Sequence, residues 1–451
     1  MIKKFIKIIL LTLISQNIIN SSNRDTSKDD ETKCFSLKKP KIVEKDWNFL
    51  VYINSNNDLF PFSELNIKQM QQIGSNENIN ILVQQDVYGK AQSKRLYIEK
   101  GKKKTIERVT TKPESISGTP ESLYSFMEWG IKNYPAKHQA LILWDHGSGI
   151  IDPNIWKKFL KFNPLMLYKM NIETGFFELN REFLNKRGIC FNEVFEVYLN
   201  NQKLKQVLEQ VTTNLLNGKK INIIGMDACN MGMLEVASQI KNYADYMIAS
   251  PEAEPGTGWN YKLVLQPLEK KSITPEEFSK NIVTAYQKHY EKNHQDFTQS
   301  AIRLNDINKL EENINEISKI LIELIKGEKS KEIISQLKKL RKDRSKTTMF
   351  ANPDYIDLHH FYTSISKLTN KMSQDKTNIN IKDKLEKTAN LTTKGTIIIN
   401  DIVIEKTFCP SMPFTQGIAF YFPTKKIHNS YQLTDFAKSN GWLSFLEKYL
   451  S

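Results

Sequence analysis

Four cysteines in 451 residues are too few and too scattered for a disulfide framework. Cys34, Cys190, Cys229 and Cys409 form no C-x-x-C pair and no spacing that gathers ligands for zinc. The chain also has no G-x-S-x-G elbow, no phosphate-cradling glycine motif, no H-E-x-x-H and no EF-hand loop. Those absences argue against an α/β-hydrolase, a nucleotide-binding protein and the common metal-dependent enzymes. No repeat recurs at solenoid periods. Charge leans to one sign, +14 from 64 Lys and Arg against 50 Asp and Glu. The lysines are nevertheless scattered among Asn and Ile rather than gathered on one segment, so no nucleic-acid partner is expected.

Long apolar runs are missing as well. The run from Ile8 to Ile14 is too short to span a bilayer. Lysines precede it and small polar residues follow, the layout of a signal peptide over residues 1–20, although Lys7 interrupts it and no small-x-small cleavage site is visible. The expectation is an exported chain without a stable membrane span once mature, an uncleaved interfacial anchor being the other reading. Residues 21–46 are polar without an apolar period and read as a linker or propeptide.

What is present is a globular composition, 40% hydrophobic and 10% aromatic, with short β-branched runs alternating with amphipathic stretches. "WNFLVYI" and, after a loop, "INILVQQD" read as strands buried on both faces. "TPESLYSFMEWGIKNYP" reads as a helix capped by Thr119 with Pro120 at its first position. "LILWDHG", "KINIIGMDA" and "YMIAS" continue as strands, separated by helices over "LNNQKLKQVLEQVTTNLL" and "MGMLEVASQIKNY". Thr274 and Glu277 form a capping box, "TQSAIRL" follows as a strand, and residues 305–372 are helical and charged. "GTIIINDIVIEK", "GIAFYFP" and a helix at "GWLSFLEKYL" close the chain. The fold class is α/β, a mostly parallel sheet flanked by helices.

Two of these strands end in reactive side chains, His146 and Cys229, 83 residues apart. Ligands of an open parallel sheet bind beyond the carboxyl ends of its strands, where crossovers bring distant residues together. His146 alone admits three readings: a structural histidine, part of a lipase-like oxyanion loop, or the base of a nucleophile. The missing serine elbow removes the second. Cys229 precedes the helix near "NMGMLEVA", whose amide dipoles favour a thiolate; read alone, it is as readily a buried structural cysteine. The pairing with His146 favours a thiol nucleophile.

With these residues in view the chain resembles the clostripain family of cysteine peptidases, relatives of caspases, legumains and gingipains. The blocks "WNFLVYINSNNDL", "NYPAKHQALILWDHGSG", "RGICFNEV", "IIGMDACNMGMLEVA", "SPEAEPGTGWNY", "DLHHFY" and "GIAFYFP" occur in the family's order. The resemblance implies a caspase-like core over 47–304, a helical elaboration over 305–393, and C-terminal strands and a helix over 394–451. It implies Cys229 as nucleophile, His146 as general base, and backbone amides of Gly147 and Cys229 as an oxyanion hole. It implies a Cys-His dyad, and Asp145, facing the opposite side of its strand, takes a structural role.

By the same resemblance Asp227, two residues before Cys229, forms the base of a pocket for Arg or Lys. Thr257 stands where some relatives carry an acid, and Glu252 and Glu254 are nearby substitutes. The substrates implied are proteins or peptides, and the chain a monomer. Family members are often cut between histidine and cysteine, where Lys186, Arg187, Lys203 and Lys205 are candidates; the insertion there reads equally as ordinary surface. No cofactor is required by the sequence; some relatives need calcium, but no site is assignable here. His359, His360, His138, His289, His294 and His428 have packing or surface contexts, and Trp259 and Tyr261 line a cleft or pack. The reading from another class is a catalytically silent binding or surface protein on the same fold.

Overall fold

The computed structural model describes residues 43–152, 168–170, 177–179, 189–292 and 296–451. The segments read as signal peptide and as linker up to residue 42 lie outside them, as do Lys186, Arg187 and His294. Nine strands form one sheet: β1 (Lys45–Ile53), β2 (Ile79–Asp86), β3 (Ser93–Glu99), β4 (Lys102–Val109), β5 (Ala136–Trp144), β6 (Ile221–Asp227), β7 (Ala244–Ala249), β8 (Thr298–Arg303) and β9 (Val403–Phe408). Their order is β9-β8-β7-β6-β5-β1-β2-β3-β4. The five central strands run parallel, and an antiparallel pair extends each edge.

Period-two alternation explains why the central strands carry apolar residues on both faces. In β1, Leu50 and Tyr52 join one core while Phe49, Val51 and Ile53 join the other; β5 divides Leu141 and Leu143 from Ile142 and Trp144 in the same way. Each such fully buried side chain contributes about 1.5–3 kcal/mol relative to exposure. The first core is closed by α2 (Pro120–Asn133), α3 (Asn201–Asn214) and α4 (Leu234–Ile240), the second by α1 (Phe60–Ile73) and α5 (Pro275–Tyr290). Thr119 caps α2 by accepting from Ser122 N at 3.2 Å. The Thr274–Glu277 capping box opens α5 with reciprocal bonds of 2.9 and 3.2 Å. β2 lies on one side of β1 and β5 on the other. That reversal opens a crevice at the carboxyl ends of the strands.

Three elements differ from the sequence reading. The stretch between β1 and β2 is a helix, α1, rather than a loop; its N-cap is Leu59, without a side-chain cap, so Pro61 in the first turn is the start signal it carries. The β3–β4 hairpin was not foreseen because β4 is an edge strand of exposed lysines, which carries no apolar period and resists pairing with other chains. "GTIIIN" is not a strand: it lies in α9 (Lys382–Ile402), after α6 (Ile307–Lys326), α7 (Ser330–Lys342) and α8 (Leu358–Ser373). Leu385, Thr388, Ala389, Thr392, Gly395, Ile399 and Ile402 are its buried positions. That helical spacing packs α9 on α8 and α6 and overrides the β preference of isoleucine. β9 begins only at Val403.

Candidate active site

The β5–β6 register sets the site. Trp144 pairs with Asp227, and two residues further on stand His146 and Cys229, level with each other on neighbouring strands. Strands in a sheet lie about 4.8 Å apart, so the two strand ends bring these side chains into one cavity. Gly147 is what allows the approach. A Cβ there would lie 2.2 Å from the Cys229 carbonyl oxygen.

Both residues are buried, Cys229 at 6% exposure and His146 at 5%. The thiol is covered by the segment 252–258: Glu254 N donates to Sγ at 3.2 Å, and Sγ lies 3.7 Å from Glu254 O. Burial pushes the Cys229 thiol up to about 12, and the carboxyls of Glu254, Glu252 and Asp227 add to the effect. This corrects the expectation of a thiolate favoured by a helix start. Helix α4 begins only at Leu234, and residues Asn230–Met233 intervene, with Asn230 at φ +59°. The resting thiol is therefore protonated and needs a base.

The His146 ring is held by its Nε2, 2.7 Å from Asp58 Oδ1, with both side chains 6% exposed. Asp58 follows β1 and was not assigned from sequence. The signal was present in "INSNNDL", where an apolar strand ends in a polar cluster and an acid, as "LILWDHG" does. Asp145 has the structural role foreseen for it. Its Oδ1 accepts from His146 N at 2.6 Å and from Asn57 Nδ2 at 2.6 Å, and its Oδ2 accepts from Asn54 Nδ2 at 3.0 Å.

Asp227 lines the same cavity as Cys229, with Glu254, Gly258, Leu59 and Trp144. Its carboxylate also accepts from Trp259 N at 3.1 Å and from the Tyr261 hydroxyl at 2.8 Å, so it orients backbone as well as facing the cavity. Gly258, at φ +61°, passes so close that a Cβ would meet Asp227 Oδ1 at 2.6 Å. Burial raises the Asp227 carboxyl, while burial and the Asp227 charge together raise Glu254 further. Burial and the neighbouring Asp227 charge thus favour the neutral form of Glu254, whose Oε1 accepts from Gln299 Nε2 at 2.9 Å. The cavity has a volume of about 20 Å³, room for a water but not for a guanidinium.

Glu252 and Thr257 do not line this cavity. The Glu252 carboxylate accepts from Ala351 N at 2.9 and 3.0 Å, tying the covering segment to the helical elaboration. The Thr257 hydroxyl pairs with the Tyr290 hydroxyl at 2.9 Å. Tyr355, also from the elaboration and also unforeseen, donates to Ser148 O at 2.5 Å and so latches the loop after His146. Lys203 and Lys205 lie in the first two turns of α3, where a helical backbone presents no extended bond for cleavage. His360 packs on Phe414 and accepts from Thr348 N, His138 packs on Trp47, His289 on Tyr290, and His428 caps a short helix. Trp259 and Tyr261 are buried in the second core. Cys190, Cys229 and Cys409 are free thiols. Among the described residues no group of three or more His, Cys, Asp or Glu is placed to hold a metal ion, so calcium is assigned no residues. No helix among them is long and apolar enough to cross a membrane.

Comparison with known proteins agrees with the fold. A secreted C11 cysteine protease from Bacteroides thetaiotaomicron, solved with an irreversible peptide inhibitor, superposes with a TM-score of 0.57 at 17% identity, covering 89% of this chain and 99% of that one. An inactive zymogen C11 protease from Parabacteroides distasonis gives a TM-score of 0.57 at 17% identity, covering 88% and 98%. At such identities the likeness establishes the fold. Clostripain from Hathewaya histolytica is 24% identical over 165 residues, which span 36% of this chain and 26% of that protein. The clostripain family, peptidase C11, matches residues 51–164 and 175–449. The chain belongs to the clostripain family.

Proposed function

We propose that the chain is an exported cysteine endopeptidase that cleaves after Arg or Lys through a thioacyl-enzyme, with Cys229 as nucleophile and His146 as base. The observation that carries this reading is the meeting of His146, Cys229 and Asp227 in one cavity at the ends of β5 and β6. Sγ attacks the scissile carbonyl carbon as its proton passes to the imidazole. The same proton then goes to the departing amine, and water hydrolyses the thioester. The backbone N–H groups of Gly147 and Cys229 serve as donors to the oxyanion.

A thiol pushed up to about 12 is not a preformed thiolate, so proton removal by His146 accompanies attack. The substrate's basic side chain enters between Asp227 and Glu254 and makes ionisation of both carboxyls favourable. Because the cavity is small and capped by Glu254–Gly258, entry requires that segment to lift. Export rests on the signal-like layout of residues 1–20 and on relatives described as secreted.

The test is hydrolysis of matched fluorogenic peptides ending in Arg, Lys, Asp or Ala by the purified chain and its Cys229→Ala variant, with calcium and with a chelator. Arg or Lys cleavage that vanishes in the variant is expected. Cleavage after Ala or Asp removes the assigned role of Asp227, and silence on all four favours a binding protein on the same fold. Loss of activity in chelator marks calcium dependence.

A further inference from the structure

Three neighbouring parallel strands, β1, β5 and β6, end at one edge of the sheet, and each end is followed by one member of a polar cluster: Asp58, His146 and Cys229. The peptidase reading uses the last two. We propose that Asp58 is a positioning residue for His146: it fixes the Nε2–H tautomer and leaves Nδ1 to carry the Cys229 proton. This inference rests on the peptidase reading for its consequence in catalysis, but not for the tautomer itself.

The geometry is specific. Asp58 Oδ1 lies 2.7 Å from His146 Nε2, within the range of a charge-assisted hydrogen bond, and both side chains are almost wholly buried. An ionised carboxylate can only accept, so Nε2 carries the hydrogen and the ring's lone pair is on Nδ1. When the proton of Sγ moves to Nδ1, the S–H bond breaks and the N–H bond forms. Asp58 keeps its charge and faces the resulting imidazolium. The proton then leaves Nδ1 for the amine, and the ring returns to its starting tautomer.

The loop that carries Asp58 is built to hold it still. Asn54 N donates to Trp144 O at 3.2 Å, the last residue of the strand that bears His146. Asn54 and Asn57 both donate to Asp145, the residue whose carboxylate also accepts from His146 N. Asn57 Nδ2 donates to Phe191 O at 2.9 Å, and Leu59 N donates back to Asn57 Oδ1 at 3.0 Å. On the far side, Ser55 N and Asn56 N donate to Asp86 Oδ2. Asp145 therefore anchors the base and its orienting acid together, so their separation does not depend on a flexible loop. The titratable groups around His146 are Asp58 after β1, Asp145 on its own strand end, Cys229 and Asp227 after and at the end of β6, and Glu254 from the covering segment. Of these, Asp58 Oδ1 lies within hydrogen-bond distance of a ring nitrogen.

The experiment is nitrogen NMR of the full chain labelled at histidine, compared across wild type, Asp58→Asn, Asp58→Glu and the control Asn56→Ala, with His146→Gln to assign the signal. Expected are the Nε2–H tautomer in wild type, its loss or mixing in Asp58→Asn, and a titration of His146 moved to lower pH by about 1 unit when the carboxylate charge is removed. Asp58→Glu restores the charge and the titration. Asn56→Ala loosens the same loop, lowers the melting temperature and leaves the titration in place. In the peptide assay, Asp58→Asn lowers kcat on the order of 10–100-fold with little change in KM, and the limb of the pH profile that belongs to His146 moves in the same direction. An unchanged tautomer and titration in folded Asp58→Asn overturns the proposal, whatever its activity. A wild type with the expected tautomer but no Cys229-dependent cleavage overturns the peptidase reading and leaves the Asp58 assignment standing.

Discussion

Replacing Gly147 by alanine puts the closeness of the two strand ends to a direct test. An added Cβ would lie 2.2 Å from Cys229 O, 2.9 Å from Met231 Cγ and 3.1 Å from Ala228 Cβ. Met231 is flexible and can yield, but the carbonyl oxygen is backbone of the nucleophile itself. Carbon and oxygen settle no closer than about 3.3 Å, so relief takes a separation of about 1 Å between the His146 and Cys229 segments. A displacement of that size at reacting groups costs on the order of 100-fold in rate. Overpacking of this kind costs about 1–3 kcal/mol, a fall of several degrees in melting temperature. The assay is kcat/KM on an Arg fluorogenic peptide beside a thermal melt. Gly327→Ala serves as control, because its Cβ would meet nothing nearer than 3.5 Å. If Gly147→Ala keeps activity within threefold and its melting temperature, the close approach of the two strand ends is refuted.

Two further outcomes follow from buried carboxyls. Glu235 is fully buried in α4, and burial raises its carboxyl to about 8, while its Oε1 accepts from Tyr421 N at 2.9 Å. A folded pKa above the unfolded one means its contribution is intact below about pH 4.5 and declines as pH rises toward 8. Glu235→Gln keeps the acceptor and escapes that decline, so its stability advantage over wild type should grow as pH rises above 4.5 and reach about 3 kcal/mol at pH 7. An advantage independent of pH contradicts the raised value. For the Asp227–Glu254 pair, both carboxyls are raised by burial and a bound cation favours their ionised forms, so kcat/KM for Arg peptides relative to Ala peptides should rise with pH. Glu254→Gln should flatten that ratio, and an unaltered slope in the variant removes the pair from specificity.

The parts of the site legible in the sequence were those tied to strand ends. Apolar runs breaking into "DHG" and "DAC" located His146 and Cys229, because a fully buried parallel strand has no other place to expose chemistry. Alternation also put Asp227 on the side of Cys229. The fate of the thiol was not legible. Its burial depends on Glu254 folding back over it, a contact between residues 25 apart, and local sequence suggested a helix dipole that the structure places four residues too late. Glu252 and Thr257 were drawn to the pocket by proximity in sequence, yet one turns to Ala351 and the other to Tyr290, since neighbours in a loop alternate direction without a register to predict it. Asp58 was missed because it lies five residues beyond the end of β1, past the strand alternation that locates His146 and Cys229. Helix α9 was misread in part because three successive isoleucines look like a strand until the helices they pack against are known.

Mass mapping of the chain after reaction with a peptidyl-arginine chloromethyl ketone tests nucleophile and base together. A single adduct on Cys229 is expected, with none on Cys190 or Cys409, and it disappears in His146→Ala. An adduct on another cysteine, or labelling of Cys229 that is indifferent to His146, contradicts the assignment of nucleophile and base.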